Sequence, residues 1–211
     1  MEKRRQVLLC GALIATSEKI RQGALLIEGE RIGRIWYADR HGLTEHNGEA
    51  VSLEALAEKL KGENSGLETV CLDGKVIMAG GIDAHVHFRE PGMTAKADMS
   101  TESRAALLGG ITSFIDMPNT NPPATGIDRI REKAALADGR SYANWGFHIG
   151  ADNENPDAIA SMLKVNDAPR EFAAVKVFMG SSTGNMLVDH GEALEKLFSI
   201  ENARILIHSE D

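Results

Sequence analysis

GGIDAHVHFREPG, residues Gly80 to Gly92, places an aspartate, two histidines and an arginine at every second position of one short run. In an extended strand successive side chains alternate faces, so Asp83, His85, His87 and Arg89 share one side while Ile82, Ala84, Val86 and Phe88 share the other. The apolar side suits a covering layer of helices. The polar side then faces inward, which in a barrel means the axis, with its later members nearest the C-terminal mouth where active sites form. Two imidazoles at i and i+2 there can take the same metal ion. The pair alone is weak evidence, because seven histidines in 211 residues yield roughly 0.2 such pairs by chance. Its setting gives it weight, since polar rings on the inner face of a strand need a reason to be there.

Outward from this run, an apolar strand followed by a helix repeats along the chain from Lys75. The strand candidates are VIMAGGIDAHVHF, ITSFIDMP, YANWGFHIG, AAVKVFMG and RILIHS. Between them lie helices with start and stop signals: one from Asp98–Thr101 to Gly109 and Gly110, one with Thr125 and Asp128 at capping-box spacing and Gly139 as its stop, one opened by Asn155 and Pro156, and one opened by Asp189 with Glu192 three residues on. Alternating strands and helices imply parallel strands with right-handed crossovers, hence an open doubly wound sheet or a (β/α)₈ barrel. Before Lys75 the character differs. VLLCGALIAT and ALLIEGERIGRIW read as strands, the second as a hairpin turning near Glu28 to Glu30, and the polar stretch 41–68 surrounds one amphipathic helix in VSLEALAEKLKG. The expected organisation is a small β module over residues 1–74 and an α/β unit over 75–211.

Composition bounds the function. At 43% hydrophobic residues the chain can build a real core, and its net charge of -8 argues against a nucleic-acid partner, which calls for clustered Lys and Arg. The one basic cluster is Lys3 to Arg5. Cys10 and Cys71 form no disulfide framework or close-spaced thiolate motif, so the expected setting is reducing cytoplasm, with both thiols buried and inert. MEKRRQVLLCGALIA has a basic start and an apolar stretch, but it breaks at Gly11 and leads into more strand-like sequence; it reads as a first strand rather than a signal peptide. No run approaches the roughly 20 apolar residues of a membrane span.

Further polar residues sit at other strand ends. Lys176 lies inside the apolar AAVKVFMG, where an ammonium is costly unless paired or chemically altered; a neutral amine can take up CO₂ to become a carbamate, and a snorkelling or ion-paired lysine is the plainer alternative. His208 follows Ile205 and Ile207 in RILIHSED. HxH, Lys and His from three strand ends form a constellation suited to Zn²⁺. Asn119 lies in the proline-fixed loop MPNTNPP and offers a donor and an acceptor, or an ordinary Asx turn. Arg89 suits a bidentate clamp on a carboxylate, or a surface position. His148 reads as structural, and His41, His46 and His190 need no special role.

GGIDAHVHFREPG, GGITSFIDMPNTNPP, VKVFMG and IHSED, in that order, closely resemble the amidohydrolase superfamily and within it the dihydroorotases. The resemblance runs from about Lys75 to Asp211 and implies a TIM-type barrel preceded by part of a β-sandwich. It implies that His85 and His87 hold the more buried metal, that a carboxylated Lys176 bridges two zinc ions, that His208 serves the second, and that Arg89 and Asn119 hold the substrate's carboxylate. The implied reaction is the reversible cyclisation of N-carbamoyl-L-aspartate to dihydroorotate, by a cytoplasmic homodimer with a small-molecule substrate and no nucleic-acid or membrane partner. Hydantoinases and allantoinases share HxH and the lysine but are not expected to carry HFREPG or MPNTNPP; a metal-free scaffold subunit would tend to lose the ligands. The family's general acid/base aspartate is expected beyond residue 211, since neither Asp116 nor Asp211 matches it. Five strands are present where a barrel needs eight and about 250 residues. A natural protein about twice the 22.8 kDa of this chain is therefore expected, and this chain alone is expected to be inactive.

Overall fold

The computed structural model describes residues 5–164, 168–180 and 185–209. Asp211 and the Lys3 end of the basic start lie outside the described residues. The chain divides into two compact units, Met1–Ala79 and Gly80–Asp211. No described helix is long and apolar enough to cross a membrane.

In the first unit, β1 (Gln6–Ala15) pairs antiparallel with β2 (Ile20–Glu28), which pairs antiparallel with β3 (Arg31–Tyr37). The turn expected near Glu28 contains Gly29 at φ 62°, a left-handed conformation that glycine adopts without a Cβ clash. The stretch 41–68 holds more than the expected helix. A hairpin of β4 (Leu43–His46) and β5 (Glu49–Ser52) precedes α1 (Leu53–Glu63), so Val51 is a strand residue rather than a helical one. Asn47 and Gly48 supply its turn, both at positive φ, and Asn-Gly is the dipeptide that a two-residue hairpin turn favours. Ser52 caps α1 by accepting the Ala55 N–H at 3.2 Å, and Leu53 and Leu56 bury against Leu8, Ala24 and Trp36. On the other side of β1 run β6 (Glu68–Cys71) and β7 (Val76–Ile77), both parallel to it. The run VIMAGGIDAHVHF is thus not one strand. Its first part belongs to this unit and the chain divides after Ala79, where consecutive glycines offer no side chains to continue a pleat.

The second unit is a sheet of five parallel strands, β8 (Gly81–Val86), β9 (Ile111–Asp116), β10 (Asn144–Gly150), β11 (Phe172–Phe178) and β12 (Ile205–His208), lying side by side in chain order. The crossovers carry α2 (Met99–Leu108), α3 (Ile127–Ala137), α4 (Pro156–Lys164) and α5 (Gly191–Phe198). A doubly wound sheet reverses its strand order partway and so has helices on both faces. Strict chain order with right-handed crossovers puts every helix on the same face, which is the barrel arrangement. The core lies in that layer, where Phe114, Phe147, Ile149, Val175 and Val177 meet Ile130, Ile159 and Leu197. The opposite face carries Lys176, His148 and His208 among apolar residues such as Phe178.

Helix starts follow the sequence unevenly. Asp98 caps α2 through the Ser100 and Thr101 N–H groups, with Thr101 completing a capping box. The Thr125/Asp128 pair does not form one: α3 begins after Gly126 with no side-chain cap, and Asp128 pairs with Arg131 at 3.3 Å instead. In α5 Ala193 and Leu197 do the burying, while Phe198 at its end is 48% exposed.

Candidate active site

The two predicted histidines sit where β8 ceases to be a regular strand. Asp83 pairs with Phe114 and Val86 with Asp116, so three steps along β8 match two along β9: one residue is extra, a β-bulge. The strand ends at Val86, and Arg89 lies beyond it at φ 66°. The alternation that put Asp83, His85, His87 and Arg89 on one face therefore does not hold through the run. Bulges re-aim side chains, and here the His85 and His87 rings stand 5.4 Å apart between centroids. The outer set is also split, because Phe88 is in the core while Ile82, on an edge strand, is 71% exposed.

Lys176 lies on the inner face, in β11 next to the edge strand β12. Its neighbours Val175 and Val177 point into the helix layer, so Lys176 points the other way, and it is 2% exposed. Burial alone pushes its pKa down. Among the described residues no carboxylate pairs with it; the Phe178 ring lies 4.9 Å from Nζ. Snorkelling does not describe a side chain this buried, and no ion pair with it is formed among the described residues. Phe178 also lies 5.7 Å from the His208 ring. His85 feels the same neighbourhood: burial lowers its pKa first, the Lys176 and His208 charges lower it further, and Asp83 opposes them. Thus His85, Lys176 and His208, from β8, β11 and β12, converge electrostatically on one region.

His87 is held by Asn119. Its Nδ1 stands 2.8 Å from the Asn119 Oδ1, and an amide oxygen can only accept, so Nδ1 carries the proton and Nε2 keeps its lone pair. Burial and the nearby Arg89 lower the His87 pKa, and the Asn119 bond opposes them. Asn119 is itself buried. The sequence placed it in a proline-fixed loop; only the fold pairs it with His87.

Two further anchors escaped the sequence reading. Asp116 accepts the Phe88 N–H at 2.9 Å through Oδ1 and pairs with Lys133 Nζ at 2.6 Å through Oδ2; Lys133 also donates to the Met117 carbonyl at 2.8 Å. Both side chains are 1% exposed, and burial drives the lysine's pKa down against the attraction of Asp116. Glu90 accepts the Met99 N–H at the start of α2 and the Arg140 guanidinium at 2.8 Å. These bonds pin the segment that carries His87 and Arg89. A charged residue in the apolar strand ITSFID was the available signal for Asp116, the same that drew attention to Lys176.

The donors present fit a divalent metal: a lysine with no acidic partner among the described residues, two imidazoles side by side, one of them tautomerically set, and a third from β12. Among the described residues no three His, Cys, Asp or Glu side chains form a ready metal cluster. A carbamate on Lys176 would be the missing anionic donor, and an unmodified amine is not one.

A sequence profile of the Amidohydrolase family matches residues 76–182. The dihydroorotase of Halobacterium salinarum is 34% identical over 165 residues, covering 72% of this chain and 37% of that protein. The dihydroorotase of Methanosarcina mazei is 36% identical over 140 residues, covering 65% of this chain and 30% of that protein. This chain thus spans well under half the length of these curated relatives. Among solved structures, L-hydantoinase (dihydropyrimidinase) from Arthrobacter aurescens superposes with a TM-score of 0.74 over 97% of this chain and 41% of that one, at 22% identity. That likeness concerns the fold, a TIM-type barrel.

Proposed function

Because this chain belongs to the amidohydrolase family, we propose that its natural protein is a dihydroorotase, reversibly closing N-carbamoyl-L-aspartate to dihydroorotate in de novo pyrimidine synthesis. The observation that carries the metal-dependent part of the reading is Lys176, a lysine 2% exposed on the inner face of the sheet with no acidic partner among the described residues. Such a group lowers the cost of its burial by losing its proton, and the free amine would add CO₂ with release of a further proton, becoming an anionic carbamate that could serve as a donor to zinc. His85 and His87 would hold one ion and His208 would serve a second. Zinc bound there would supply Lewis acidity for the ring carbonyl and for the attacking water.

The remaining residues bind and orient. Arg89, next to His87, offers a planar fork that matches a carboxylate, and the Asn119 amide N–H can donate to the same group while its oxygen stays on the His87 Nδ1–H. Asp116 is committed to Phe88 and Lys133, so proton transfer at the leaving nitrogen is not assigned to it. Asn119→Ala removes the acceptor that sets the His87 tautomer, and is expected to weaken zinc binding by the natural protein about 10–100-fold, the usual effect of losing a bond that orients a ligand. Competition against a chromophoric chelator measures this, and an unchanged affinity would mean that His87 does not depend on Asn119.

The carboxylate clamp separates this reading from a hydantoinase or an allantoinase. Turnover by the natural protein of dihydroorotate, hydantoin and allantoin tests it. Ring opening of dihydroorotate is expected; an enzyme inert toward it and active on either of the others would refute the assignment.

A further inference from the structure

The bulge in β8 isolates one peptide group. The Ala84 carbonyl and the His85 N–H belong to the same peptide unit, which lies between the last regular pair, Asp83 with Phe114, and the next, Val86 with Asp116. A bulge leaves such groups without ladder partners. Here both ends are taken by side chains. The Asp83 carboxylate accepts the His85 N–H at 3.0 Å. His148 Nε2 stands 3.0 Å from the Ala84 oxygen. A carbonyl can only accept, so that nitrogen is the protonated one.

His148 reaches this peptide from β10, with β9 between the two strands. Its neighbours Phe147 and Ile149 enter the helix-side core, so its own ring lies on the inner face, 1% exposed. The peptide it holds directly precedes the His85 Cα, and rotating that peptide would swing the imidazole. From this geometry we propose that His148 is a positioning residue: by pinning the Ala84–His85 peptide, it aims His85 at the metal. The inference rests on the reading of His85 as a metal ligand and adds a residue that touches neither metal nor substrate.

The test uses zinc alone, with the affinity of the natural protein measured by chelator competition beside its thermal midpoint. His148→Phe keeps the ring's bulk and removes the donor; zinc affinity is expected to fall about 10–100-fold. His148→Gln, which restores an N–H near the same place, is expected to recover most of that loss. Asp83→Ala frees the other end of the same peptide at a half-buried position, and is expected to weaken zinc binding even if H148F does not fold. Wild-type affinity in H148F with only a lower midpoint would overturn the proposal, as would wild-type affinity in D83A. H85A distinguishes the two layers. Unchanged zinc affinity there removes His85 as a ligand and the proposal with it, whereas a large loss in H85A with none in H148F sinks the positioning role alone.

Discussion

Lys133→Met is expected to cost the natural protein about 3–5 kcal/mol of stability, because it strands the Asp116 carboxylate in a site where both partners are 1% exposed. The loss comes from the charge left behind more than from the bond removed. A double substitution, Lys133→Met with Asp116→Asn, should therefore be milder than Lys133→Met alone. The amide oxygen can still accept the Phe88 N–H, and no buried charge is left unpaired. Denaturant unfolding of the three proteins checks this. A double variant less stable than the single one would show that the pair is worth more than the desolvation it carries.

Lys176→Met is expected to act in the opposite direction on the metal-free protein. Both lysines are buried, but Lys133 meets an aspartate and Lys176 meets none among the described residues. Replacing Lys176 by a similar-sized apolar side chain removes an unpaired buried polar group and should raise stability by about 1–3 kcal/mol. Zinc affinity should fall by more than the roughly 10–100-fold that a supporting residue controls, since the bridging donor itself is lost. Function held at a stability cost is the usual signature of such a site. A metal-free K176M protein less stable than wild type would mean that Lys176 has an ordinary structural partner.

Helix starts and turns show where local reading succeeds. The helix start expected near Asp98 to Thr101 holds, and the two residues form a capping box, since every partner lies within one turn. Thr125 with Asp128 had the same spacing and did not, because the chain entered α3 one residue later, at Gly126. The Asn47-Gly48 hairpin was legible and went unread inside a polar stretch. For the site, His85, Lys176 and His208 stood out as candidates because imidazole and ammonium groups are conspicuous in apolar strands, whereas His87, Arg89 and Asn119 lie outside the regular strands and were singled out by the motifs around them.

The sequence by itself determined the alternation of strands and helices, and with it parallel strands; it also carried the types of donor available at their ends. Hydrophobic period and capping chemistry are local, so they can be read without knowing what lies across the sheet. The periodicity left a doubly wound sheet and a barrel type open, and the order of strands decided for the barrel type that the family resemblance implied. The tertiary structure alone supplied the bulge at Ala84–His85, the reach of His148 over β9, the Asn119 bond that sets the His87 tautomer and the pairing of Asp116 with Lys133. The physical reason is common to all four. Register and side-chain pairing depend on which backbone groups a neighbour leaves unsatisfied, and the neighbours here are between 17 and 64 residues away along the chain, beyond the range of any periodic signal.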